Sequence, residues 1–189
     1  IIHCAVAEKL IWIYRDGNKP IVNLWETMEQ ILEVMVSLGE NEFDEWLAGV
    51  KVVRHGLILP NGLMMRYPGL RKGEDGYSYM GGPVGKERKK AYGGSMTENI
   101  VQALARVVVA DQMQVLTRIY NYPVVSMTHD EVVLMVPEAE AKRAAERCLA
   151  VFRTPPEWAK GLPLNATVGH GKNYGEAFGR FVSINNEES

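Results

Sequence analysis

At 189 residues, 47% of them apolar, the chain can bury a substantial core, so a globular reading holds. No run of about 18 apolar residues occurs and the start lacks a signal-peptide pattern, which excludes a membrane-spanning helix and points to a cytoplasmic protein with no membrane partner. The net charge of −2 hides a segregation: Glu26 to Glu45 holds seven acids and no Lys or Arg, whereas Lys51 to Lys90 holds nine Lys and Arg against Glu74, Asp75 and Glu87. Such a basic segment suits a polyanion, with a solvated loop as the plain alternative.

In chain order, the first predicted element is a helix over 2–15, with Val6, Leu10, Ile13 and Tyr14 at helical spacing and a break at Asp16-Gly17-Asn18. The initial Ile1 suggests a piece of a longer or processed protein. Pro20 suits the first turn of a second helix, which runs to about Leu38 with Gly39 as its stop. Leu24, Met28, Ile31, Leu32 and Met35 would be its buried face. A hairpin is expected next, 51–59 with 63–67, turning at Pro60-Asn61-Gly62. Residues 69–94, rich in Gly and Lys/Arg, read as an ordered loop or arm. Three segments result: a helical 1–50, a basic hairpin and arm 51–94, and 95–189.

Ser95-Met96-Thr97-Glu98 reads as a capping box opening a helix to about Ile119. Its apolar residues cover more than one face, which predicts burial on several sides. Asn99, Gln102 and Arg106 nevertheless share one stripe, so either the protein supplies their partners or the stripe opens on a ligand. Val124–Thr128 and Val132–Val136 then flank His129-Asp130-Glu131 as a hairpin bounded by Pro123 and Pro137. Apolar flanks imply a buried sheet reaching an acidic tip. Adjacent carboxylates at a turn repel unless a cation joins them, and Mg²⁺ suits such oxygen donors. A solvated turn is the alternative. An amphipathic helix over 138–152, a rigid break at Thr154-Pro155-Pro156 and a last strand over 164–169 complete the chain.

Other chemistry is unsupported. There is no phosphate-cradling glycine motif and no serine in a nucleophile-elbow setting. Cys4 and Cys148 have no metal-ligand spacing and read as buried thiols, and the lone histidines His3 and His55 as structural.

With those residues in view, nearly the whole chain resembles the C-terminal part of family A (DNA polymerase I-like) DNA polymerases, particularly the bacteriophage type. The Val-rich strands around His129-Asp130-Glu131 are similar to motif C. The run from Tyr92 through Ala103 resembles the preceding helix, and Ile58–Gly62 with Arg66-Tyr67-Pro68 the hairpin before it. Thr154–Trp158 and Gly171–Gly175 resemble the closing segments.

The resemblance implies an α+β fold, an antiparallel palm sheet of the motif C hairpin and the last strand packed on helices. Without the motif A strand that sheet would be incomplete. It implies catalytic roles for Asp130, Glu131 and His129. Asp130 would be one of two metal-binding aspartates, Glu131 its acidic neighbour, and His129 a contact to the primer-terminus backbone. Gln102, with Asn99 and Arg106, would face the DNA, Gln102 at the minor groove, where an amide donor can check any correct pair. The basic segment would hold duplex phosphates. Mg²⁺ in a two-metal site, primer–template DNA, a deoxynucleoside triphosphate and a complementary fragment carrying motifs A and B are the implied cofactor and partners. Neither motif lies in this chain, which should not polymerise alone. The alternative function is a palm remnant that binds duplex without chemistry.

Overall fold

The computed structural model describes residues 4–46, 49–82, 85–178 and 181–182; His3 lies outside them. The architecture is α+β, with five α-helices among the described residues and every strand pair antiparallel, as expected. Two compact units divide the chain, 1–104 and 105–189.

The first unit opens with α1 (Cys4–Gly17) and α2 (Lys19–Ser37), separated only by Asn18. Asn18 accounts for so tight a junction. Its side-chain amide donates to the Tyr14 carbonyl at 2.8 Å, and its own carbonyl accepts the N–H groups of Ile21 and Val22. Met28, Ile31, Leu32 and Met35 recur at helical spacing and are buried, with Leu24 only partly so. Gly39 does not stop α2 through a left-handed turn; Leu38 adopts an extended backbone, and the Gly39 N–H is taken by the Glu42 carboxylate at 2.8 Å. The apolar residues of α1 stay open, with Trp12 69% and Ile13 59% exposed.

The expected hairpin is a four-stranded meander: β1 (Phe43–Glu45), β2 (Lys51–Val53), β3 (Gly56–Ile58) and β4 (Met64–Arg66). The single strand expected over 51–59 turns back on itself at Arg54-His55, where His55 takes a left-handed φ of 56°. Its N–H donates to the Met35 carbonyl and its carbonyl accepts from the Tyr67 N–H, which ties this turn to the end of α2. The turn at Pro60-Asn61-Gly62 is present, with Gly62 alone left-handed at φ 83°.

Residues 69–94 are not an irregular arm. They hold a second meander, β5 (Arg71–Gly73), β6 (Gly76–Gly81) and β7 (Glu87–Ala91). Tyr77 and Ala91 are the buried residues of these strands, so little apolar period exists for a sequence to display.

Helix α3 (Gly93–Arg118) begins two residues before Ser95, so the capping box has another register. Ser95 reaches back, its hydroxyl accepting the Tyr92 N–H at 3.1 Å and donating to the Tyr92 carbonyl at 2.9 Å. Glu29 of α2 accepts the Gly93 N–H at 2.6 Å, placing a carboxylate where the helix dipole favours one. Burial of α3 is one-sided rather than all round: Met96, Ile100, Val107, Val108 and Leu116 are buried, while Val101 and Ile119 are exposed.

The second unit contains the end of α3, the hairpin β8 (Val124–Thr128) and β9 (Glu131–Leu134), α4 (Ala141–Arg153), the pair β10 (Val168–Gly169) and β11 (Phe181–Val182), and α5 (Tyr174–Phe178). Leu116, Tyr122, Ala144 and Val151 form its core, with Leu134, Val136, Cys148 and Phe152 against them. Burial pushes the Cys148 thiol up to about 11, in keeping with an inert thiol. Gln112 is buried and donates to the carbonyls of Phe152 and Thr154, tying α3 to the end of α4. The last strand is shorter than the expected 164–169 and does not extend the sheet of the β8–β9 hairpin. It pairs with β11, with Val168 opposite Val182.

Candidate functional site

The β8–β9 hairpin closes on Thr128 opposite Glu131, which leaves His129-Asp130 as a two-residue turn. His129 takes a left-handed φ of 53°, a conformation that costs a residue with a side chain roughly 1–2 kcal/mol. A register shift between Val124 and Ser126 bulges β8 at Val125. The apolar flanks are less covered than a buried sheet requires: Val125 is 52% and Met135 65% exposed. Among the described residues β8 and β9 pair only with each other, so both outer edges of the hairpin are open.

The two acids at the tip differ in their partners. Glu131 accepts a hydrogen bond from the Tyr174 hydroxyl at 2.8 Å, and Tyr174 stacks on Phe178 at 6.1 Å. Asp130 and His129 are exposed and make no hydrogen bond or ion pair with the described residues. Sequence reasoning missed Tyr174 as the partner of Glu131, because 43 residues separate them. The hydrogen bond to Glu131 raises the phenol above its ordinary value of 10.0. This bond therefore contributes fully below pH 10.0 and disappears as pH rises through the higher folded value. Glu131→Gln is expected to return the Tyr174 titration towards that ordinary value, read by NMR of Cζ-labelled tyrosine; an unmoved titration would refute the contact.

The polar stripe of α3 is divided in its partners. Asn99 donates to the hydroxyl of buried Tyr67 at 3.1 Å, so the protein supplies its partner. Burial raises the Tyr67 phenol and the bond from Asn99 lowers it, with burial the larger cause. Gln102 is exposed and bonds Glu98 one turn back at 3.3 Å, a contact that solvent or a ligand can replace. Arg106, also exposed, donates to the Met127 sulfur on β8.

For a hard divalent cation, Asp130 offers carboxylate oxygens uncommitted among the described residues, while the Glu131 carboxylate already holds a proton donor. The donor chemistry fits one arm of a cation site. No group of three or more metal-ligating side chains gathers among the described residues.

An α+β chain with an acidic hairpin turn and a long preceding helix is the class defined here, and by sequence it is similar to a DNA polymerase. The relative is the DNA polymerase of Bacillus phage SP02, 33% identical over 172 residues, which cover 84% of this chain and 26% of the relative. The expected resemblance to a phage DNA polymerase is thus borne out over most of the chain. The chain spans about a quarter of that relative's length. No family model matches it, and no solved structure does. Among the described residues, no helix is long and apolar enough to cross a membrane.

Proposed function

We propose that this chain is the C-terminal palm portion of a family A DNA polymerase and supplies one side of a two-metal nucleotidyl-transfer site. The observation that carries the reading is the similarity to a phage DNA polymerase over most of the chain. An acidic turn whose Asp130 has no partner among the described residues supports it. Asp130 would be the metal-binding aspartate of motif C, with Glu131 beside it and its orientation fixed by Tyr174. Bound Mg²⁺ would activate the primer hydroxyl and neutralise charge on the leaving phosphates.

The chain's own residues would do the positioning. His129, held by its left-handed backbone, would contact the primer-terminus backbone. Gln102 would exchange its bond to Glu98 for the acceptors that every correct pair shows in the minor groove, with Arg106 beside it on the same stripe. Asn99, committed to Tyr67, would serve that stripe by holding α3 in place rather than by reading DNA. Primer–template DNA and a deoxynucleoside triphosphate are the substrates under this reading. Motif A and motif B would come from a complementary polymerase segment, and the open edges of β8–β9 and the exposed apolar residues of α1 suit such a partner.

The test is complementation. The isolated chain is expected to give no primer extension with Mg²⁺, and extension is expected to appear when it is mixed with a fragment bearing motifs A and B. Extension by the chain alone would overturn the division of the site. Duplex binding with no extension in any mixture would favour the non-catalytic remnant.

A further inference from the structure

The basic segment is not uniformly basic once its strands are paired. In β5–β6–β7, Arg71 lies opposite Ser78 and Ser78 opposite Lys90, so these three form one cross-strand row on one face. Met80 and Arg88 pair two residues along, on the same face by the alternation of the strands. The opposite face carries Tyr77 and Ala91, both buried, with Lys72, Tyr79, Lys89 and Glu87. Tyr77 and Ala91 commit part of that face to the protein, and its exposed Lys89 stands two residues from Glu87 on the same strand and face. Lys72 reaches Glu33 at 3.7 Å and sits over the Tyr77 ring, while Tyr79 packs edge-on against Tyr67.

The first face is different. Arg71 and Lys90 are exposed and have no hydrogen bond or ion pair among the described residues. Arg88 is laid down by its contacts to the Ser78 carbonyl and hydroxyl and to the Gly69 carbonyl. Its fork has five N–H donors, so some remain for a ligand. No acid lies on this face of the strands; Glu74 and Asp75 stand in the β5–β6 turn at one end. Strand spacing of about 4.8 Å puts Arg71 and Lys90 roughly 10 Å apart across Ser78.

We propose that this solvent face, formed by Arg71, Ser78, Arg88 and Lys90, binds the phosphodiester backbone of duplex DNA. Two free cations astride a hydroxyl, beside an arginine already oriented, fit a row of phosphates and carry no base readout. The choice of duplex DNA rests on the polymerase reading above; the geometry of the face does not.

Anisotropy of a labelled primer–template duplex with the full chain, across a salt series, tests the proposal. Removing one cation that neutralises a phosphate should shallow the slope of log affinity against log salt by about 0.9. Arg71→Gln with Lys90→Gln should therefore shallow it by about 1.8, equivalent to roughly tenfold less salt sensitivity between about 50 and 200 mM. Lys72→Gln with Lys89→Gln removes the same charge from the other face and should leave the slope unchanged. Arg71→Lys with Lys90→Arg, which keeps the charge, should also leave it unchanged. Equal effects from both glutamine pairs, no effect from the first, or no duplex binding by the wild type would each overturn the proposal. So would equally tight, equally sensitive binding to phosphatidylserine vesicles. Failed complementation with the face-specific slope intact would instead overturn the polymerase reading alone.

Discussion

Asp130→Asn is expected to abolish primer extension by the complemented enzyme, a loss on the order of 1,000-fold, while leaving the chain folded. The amide keeps the shape of the carboxylate and removes its charge, which is what a hard divalent cation requires of it. A single preorganised electrostatic group can be worth about 100- to 1,000-fold in rate, and a metal ligand sits at the upper end. Stability should stay within about 0.5 kcal/mol, because Asp130 is exposed and no described residue loses a partner. Single-turnover extension and a urea melt on the same preparation measure both. Extension within tenfold of wild type would remove Asp130 from the metal site. Glu131→Gln makes the informative comparison: it should loosen Tyr174 and weaken extension less.

Gly93→Ala is the expected largest loss of stability. A Cβ there would lie 1.9 Å from the Trp25 carbonyl oxygen and 2.7 Å from its carbon, both backbone atoms of α2 that no rotamer change can move. Alanine would gain about 1 kcal/mol in helix propensity, and the clash outweighs it. Backbone must shift, and with it the 2.6 Å bond from Gly93 to Glu29 that starts α3. A net loss of about 3 kcal/mol is expected, the upper end of overpacking costs. Gly94→Ala controls for the substitution itself, since its nearest neighbour is the Tyr92 ring at 3.0 Å, which can rotate away. Denaturant unfolding that leaves Gly93→Ala within about 0.5 kcal/mol of wild type would refute the close approach of α2 and α3.

Where sequence reading succeeded, the signal was local and strong. Met28, Ile31, Leu32 and Met35 repeat at helical spacing behind Pro20, and both the position and the buried face of α2 follow. Gly62 and the tripeptide at 129–131 sit between apolar strands and mark real turns. What was illegible depended on partners distant in sequence or on residues with no turn signature. Arg54-His55 turns a strand although neither residue announces it. The β5–β7 meander hides because its outward face is charged. Ser95 carries a capping signature, but Glu29, 64 residues from Gly93, shares in starting that helix. At the site, the acidic turn was legible from its flanks, whereas the bond between Glu131 and Tyr174, 43 residues apart, was not.

The sheets have a kinetic consequence. Among the described residues, every strand pair joins sequence neighbours: β1 to β4 in order, β5 to β7 in order, β8 with β9, and β10 with β11. Each pairing closes a short loop, so little chain entropy is lost before the first contacts form, and isolated hairpins of this kind close in about 1–10 μs. Among the described residues, each of these pairings lies within one stretch of the chain. The acidic turn at His129-Asp130 joins two such neighbours, yet Leu134 and Val136 beside it pack against Ala144 and Val151, so its hairpin gains its support only once α4 is made.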